Sequence, residues 1–281
     1  YEGDNLVFHG VPAADNDGAC VLIDLVSNKM VEGEGTLTGG GVYVEPDEEN
    51  YIENGEYELE SSIGDVYFNL GSQLNMYDIS DSTNVKAYIE VVASVPPKKG
   101  NINGEKNIRK SAILGNLTSY STGDNFLIGN SDESHARFCL QRDNIYTPTI
   151  APGMNTYTMM AYKNNNANYN GGKLCAYINN VPAGVIPISL SNASTGSDVY
   201  VFKARGDDEW NCVRGTKIYQ IKYYKPSDGL VHILVPAYNN GQYCFKDVID
   251  NTYLYAAVST PTGHISDHYL TNNGAIDIYN G

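Results

Sequence analysis

Glu45, Asp47 and Glu49 occupy alternate positions of the stretch Glu45-Pro46-Asp47-Glu48-Glu49. On a strand, all three carboxylates would point to one face. A pair of glutamates on one face is the equipment of nucleophile and general acid at a glycosidic bond. The intervening residues argue against that strand. Pro46 removes a ladder donor, Glu48 takes the place of an apolar inward-facing residue, and Asn50 follows, so the stretch reads as an acidic turn. Catalysis is the lesser reading, and no catalytic residue is assigned.

A second chemistry needs rings rather than acids. Sugars stack their apolar faces on exposed aromatic side chains while nearby amides and carboxylates take the hydroxyls. Trp210, with Asp207 and Asp208 in Gly206-Asp207-Asp208-Glu209-Trp210-Asn211, meets that description, as does Tyr169 in the Asn-rich run 164–172. These four are the candidate glycan contacts, although the lone tryptophan is also a natural packing residue. Asp15-Asn16-Asp17-Gly18 and Gly206-Asp207-Asp208-Glu209 cluster oxygens near a turn glycine, yet neither has the full spacing of a calcium loop. Asx turns account for both, and a structural calcium ion is the one cofactor left open. His264 and His268 lack an evident third ligand, so no metal site is assigned there.

Composition narrows the partners. The 281 residues carry a formal net charge of −15, a field that repels the phosphate backbone of nucleic acid and anionic membrane surfaces. No apolar run is long enough to span a bilayer, so membrane insertion is not expected. No nucleophile elbow, phosphate loop or dinucleotide fingerprint occurs. The five cysteines are widely spaced and odd in number, and most have apolar neighbours, so buried free thiols are expected. Beginning at Tyr1, the chain reads as a processed or trimmed product.

The elements that would position these residues are strands. With 23 Tyr and 28 Gly and no sustained 3.6-residue apolar period, the chain is expected to be all-β. Strands are read at 5–9, 20–26, 64–70, 86–93, 111–117, 125–129, 136–141, 155–162, 173–179, 184–190, 198–204, 216–224, 230–236, 242–248 and 252–258, most bounded by Gly, Asn, Asp or Pro. Many short strands without intervening helices predict a two-sheet sandwich or jelly roll. No fixed-period repeat suggests a propeller or solenoid. One domain is read over 1–258, with 259–281 as a polar C-terminal extension. In the hairpin 217–238, alternation places Tyr219, Ile221 and Tyr223 on the core face, continued by Val231, Ile233 and Val235, while Lys222 and Tyr224 face outward.

The C-terminal half resembles a known family. Tyr177-Ile178-Asn179-Asn180 matches its "yvNG" hairpin and Val199 to Phe202 its next apolar strand. Lys217, Ile218, Tyr219, Lys222, Tyr224, Leu230, Val231, Pro236, Gly241, Phe245, Asp247, Val248 and Tyr253 fit the strands that follow. Together they resemble the concanavalin A-like or laminin G-like jelly-roll module of tailed-phage structural proteins and bacterial surface proteins. The resemblance implies a β-sandwich of two antiparallel sheets. It also implies a non-enzymatic virion surface or fibre protein used for host adhesion through glycan binding, with other virion proteins as partners and a homotrimeric state. A secreted or cell-surface carbohydrate-binding protein of a bacterium is the alternative, and a glycoside hydrolase or lyase of the same fold the second.

Overall fold

Runs rich in β-branched and aromatic residues, broken by Asn, Gly and Pro, form strands throughout. The structure is a computed structural model that describes residues 11–12, 20–24, 29–32, 46–54, 66–71, 86–96, 111–116, 126–130, 135–140, 143–163, 171–189, 198–204, 212, 215–225, 230–257 and 261–266. Every regular element among them is a strand. No helix among the described residues is long and apolar enough to cross a membrane.

The largest sheet runs in the order β13 (Val181–Ser189), β12 (Gly171–Ile178), β11 (Met154–Lys163), β6 (Lys86–Ser94), β15 (Lys217–Lys225), β16 (Leu230–Asn239), β17 (Gln242–Asp247), β18 (Thr252–Leu254). Within it, β4 (Tyr51–Glu53) pairs with both β15 and β19 (Thr262–His264). The facing sheet has the order β10 (Asp143–Thr149), β9 (His135–Leu140), β8 (Phe126–Asn130), β7 (Ser111–Gly115), β14 (Tyr200–Val201), β5 (Phe68–Asn69). A separate three-stranded sheet is built from β1 (Val11–Pro12), β2 (Cys20–Asp24) and β3 (Lys29–Glu32). All pairings are antiparallel. The chain leaves and re-enters the large sheet between β6 and β11 and again between β13 and β15, which is how a sandwich of this kind is woven.

One apolar core joins the two larger sheets. Ile89, Val91, Met159, Leu174, Ile221, Leu234 and Phe245 of the large sheet meet Phe68, Ile113, Leu114, Ile128, Phe138 and Leu140 of its partner. Phe68 and Phe245, both fully buried, make an edge-to-face contact across the interface with centroids 4.8 Å apart. The architecture is the all-β antiparallel sandwich that the strand pattern and the resemblance implied. Two hairpin turns carry its local chemistry. Asn179 and Asn180 have φ of 51° and 63°, and Asn240 and Gly241 have φ of 51° and 77°. Both central residues lie in the left-handed region, as the two-residue turns that match strand twist require.

Two differences from the sequence reading have clear causes. The hairpin register pairs Ile221 with Leu234 and Tyr223 with His232, so Leu234, not Ile233, continues the core row. Ile233 and Val235 take the opposite face with Lys222. Further along, a bulge between Ile218 and Gln220 brings Ile218 rather than Tyr219 into the core. Alternation could not choose between the faces because both are buried: Tyr88, Val92, Met160, Cys175, Ile233 and Val235 lie opposite the main core and are shielded as well. Strand β10 is not among the runs read as strands from the sequence, and its Pro148 weakens the local strand signal. The structure places β10 at a sheet edge, with a register shift between Tyr146 and Thr149, where a missing donor is tolerated. Beyond residue 258, β19 joins the large sheet, and Ser266 donates its backbone N–H and hydroxyl to Asn50 Oδ1 at 2.7 and 3.2 Å.

Candidate functional site

Trp210, Asp207, Asp208 and Tyr169 lie outside the described residues, as do Asp15-Asn16-Asp17-Gly18, Glu45 and His268. The acidic segment is described from Pro46 onward. Asp47 accepts the Glu49 backbone N–H at 2.8 Å through Oδ1 and the Asn50 side-chain amide at 2.8 Å through Oδ2, while its carbonyl accepts Asn50 N–H at 3.0 Å. This is an Asx turn whose central carboxylate is engaged in the local backbone. Residues 47–49 therefore do not present alternate carboxylates from one strand.

The four described cysteines, Cys139, Cys175, Cys212 and Cys244, are buried and form no disulfide with one another, in line with their apolar neighbours. Burial pushes the Cys244 thiol up to about 11.

A buried ionic group sits on the outer face of the large sheet. Glu90 accepts the Tyr88 hydroxyl at 2.6 Å and the Thr158 hydroxyl at 3.5 Å, and Lys222 Nζ lies 3.2 Å from its other oxygen. Cross-strand register explains the convergence, because Glu90 lies directly opposite both Thr158 and Lys222. Burial, then the Glu90 charge and its hydrogen bond, hold the Tyr88 hydroxyl well above the usual tyrosine range. With its charge paired and its oxygens satisfied, the cluster reads as a structural network.

Apart from Tyr146 of β10, which is 59% exposed, the exposed tyrosines among the described residues gather at the β16–β17 turn and the strands beside it. Tyr238 and Tyr243 face each other directly across the hairpin, edge to face with centroids 5.1 Å apart. Asn239 and Asn240, on the turn, direct their side-chain amides to the Tyr255 hydroxyl at 2.7 and 3.1 Å. Tyr238 and Tyr255 are each 37% exposed, whereas Tyr243 is half-buried against the core.

The patch continues through β4, β15 and β19. Tyr51 lies 6.0 Å from both Tyr219 and His264, ring centre to ring centre, and the Lys217 ammonium sits 4.0 Å above the Tyr51 ring. Gly263 makes the junction possible: a Cβ there would fall 2.5 Å from the Tyr51 carbonyl oxygen and 3.0 Å from the Tyr243 ring. Burial, followed by the neighbouring Tyr238 and Tyr51, raises Tyr243 above the usual tyrosine range. Burial is also the leading cause of the raised Tyr219. Tyr219 and Tyr243 therefore stay neutral at physiological pH. The arrangement offers rings set in place before any ligand arrives, with two amides and a cation around them.

None of these rim residues was singled out as a binding contact from the sequence. The available signal was Ala237-Tyr238-Asn239-Asn240-Gly241-Gln242-Tyr243, an Asn-Gly hairpin turn flanked by two tyrosines. The contributions of Tyr51, Lys217 and His264 had no local signal, because strand pairing alone brings them to the turn.

No family model matches the chain. No curated protein matches it either. Among solved structures, the chain is similar to "Ruminococcus gnavus IT-sialidase CBM40" at 13% identity and TM-score 0.39, covering 63% of this chain and 90% of that one. It is also similar to "Ruminococcus gnavus IT-sialidase CBM40 bound to alpha2,3 sialyllactose" at 10% identity and TM-score 0.36, covering 63% and 89%. At these identities and scores the likeness assigns no ligand to this chain.

Proposed function

We propose that this protein is a non-enzymatic glycan-binding module that serves adhesion from an exposed surface. The observation that carries the proposal is the rim patch, in which the partly exposed Tyr238 and Tyr255 lie beside Asn239 and Asn240 on a hairpin turn. A sugar needs an apolar ring to stack on and amide groups within reach of its hydroxyls, and both are present here. The amides that hold the Tyr255 hydroxyl reduce the entropy lost when a ligand docks on that ring. Following the resemblance, the surface is that of a virion and the ligand a host carbohydrate. Association with other virion proteins and a trimeric state belong to the same proposal.

The test is a titration against an array of neutral and acidic glycans, followed by calorimetry on any that bind. Tyr238→Ala and Tyr255→Ala should each weaken binding by about tenfold, since a stacking contact of about 1 to 1.5 kcal/mol corresponds to roughly that factor. Both should unfold near the parent midpoint, because the substituted rings are partly exposed. A parent protein that binds no glycan, or a double variant that binds like the parent, would reject the assignment.

A further inference from the structure

At the opposite end of the same hairpin, three ligand-bearing side chains converge. His232, near the start of β16, and Asp247, the last residue of β17, place Nδ1 and Oδ2 2.6 Å apart. Asp250, in the turn leading to β18, brings its own Oδ2 to 3.7 Å from the same imidazole nitrogen. The three donor atoms all lie within 4.8 Å of one another. The ring and the first carboxylate are buried, with side-chain exposures of 9% and 5%, while Asp250 is 47% exposed and opens the group to solvent. Asp247 is oriented from outside the triad: its second oxygen, Oδ1, accepts the Ile249 N–H at 3.0 Å.

A His–Asp pair alone would be an ordinary structural hydrogen bond. Asp250 changes the electrostatics. One imidazole N–H can satisfy one carboxylate, and a second carboxylate directed at the same atom leaves the group net negative whether or not the ring is protonated. A divalent cation with a neutral imidazole balances it. From this geometry we propose that His232, Asp247 and Asp250 form a divalent metal site of the zinc or manganese class.

Metal–ligand bonds of about 2.0 to 2.2 Å require donor atoms about 3 to 3.5 Å apart around the ion. The 2.6 Å pair must open and the 3.7 Å pair close, each by less than about 1 Å, and the two carboxylates, within 4.8 Å of each other, must close by at most about 1.8 Å, all within the range of side-chain torsion. One nitrogen and two carboxylates favour zinc or manganese over calcium, which takes six or more oxygens, and the solvent side leaves room for water to complete the shell. The ion would tie the β16 strand to the β17–β18 turn. The six residue steps from His232 to Tyr238 along β16 set these two residues about 20 Å apart at about 3.3 Å per step. Metal binding and glycan binding are therefore tested independently.

The experiment is calorimetry of metal-stripped protein with the chlorides of zinc, manganese, calcium and magnesium, with the unfolding midpoint measured in parallel. Zinc or manganese should bind with a stoichiometry of one and raise the midpoint, and calcium and magnesium should not compete at equal concentration. Asp250→Asn, at an exposed position, should leave the metal-free midpoint near the parent value. It should weaken binding by more than the about 10- to 100-fold typical of losing an outer-shell partner. Absence of saturable one-to-one binding overturns the proposal. So does an Asp250→Asn variant that binds as tightly as the parent, which would place the ion on other side chains.

Discussion

Replacing Gly263 with alanine perturbs the rim without deleting any of its functional groups. The added Cβ would stand 2.5 Å from the Tyr51 carbonyl oxygen, where ordinary contact begins at 3.4 Å, and 3.0 Å from the Tyr243 ring. The ring can tilt, but the carbonyl belongs to β4, whose neighbours are fixed on both sides. Gly263 lies opposite Ile52 in the β19 pairing, and Ile52 lies opposite Ile218 in the β15 pairing. Ile52 is fully buried in the main core. Relief therefore requires β4 and β19 to separate by most of an ångström, or β4 to shift against β15. Overpacking of this kind costs about 1 to 3 kcal/mol, and each kcal/mol lowers the midpoint of a domain this large by about 2 to 4 °C. Thermal unfolding should thus register a loss of about 2 to 12 °C, together with weaker glycan binding because Tyr51 and Tyr243 both move. A variant with an unchanged midpoint and unchanged glycan response would refute the claim that close approach at Gly263 holds the rim together.

Two further outcomes follow from the core. Phe245→Ala removes a fully buried ring in edge-to-face contact with Phe68 and should cost about 3 to 5 kcal/mol in denaturant unfolding; a double-mutant cycle with Phe68→Ala should show coupling of about 0.5 to 1.5 kcal/mol, and its absence would mean that the sheets do not meet through this pair. Because burial lifts the Cys244 thiol to about 11, native protein should resist thiol labelling at that position near pH 8, as mapped by mass spectrometry. Above the ordinary thiol pKa the unfolded chain holds fewer protons at this site than the folded one, so the stability it contributes is complete below that pKa and falls as pH rises toward about 11. Labelling of Cys244 as fast in native as in unfolded protein would contradict the burial.

Much of the strand layout was legible along the chain. Local rules act over a few residues, so apolar runs bounded by Asn, Gly and Pro marked β6, β11, β12, β15, β16 and β17, and the Asn179-Asn180 and Asn240-Gly241 turns followed from residues that tolerate positive φ. The antiparallel sandwich follows from those strands, because short strands without helices can bury their apolar faces only against another sheet.

Which face each residue takes was settled by the tertiary structure. Alternation identifies faces only when one of them is polar, and here Ile233, Leu234 and Val235 are all buried, so the register with β15 and the bulge beside Tyr219 made the choice. The rim patch depends even more on long-range pairing. Tyr51 reaches Tyr243 and His264 only because β4 is held between β15 and β19, and Asp250 reaches His232 only because β17 returns alongside β16. Contacts of that kind depend on cross-strand register set by the burial of the whole sheet, and no local run of residues encodes them.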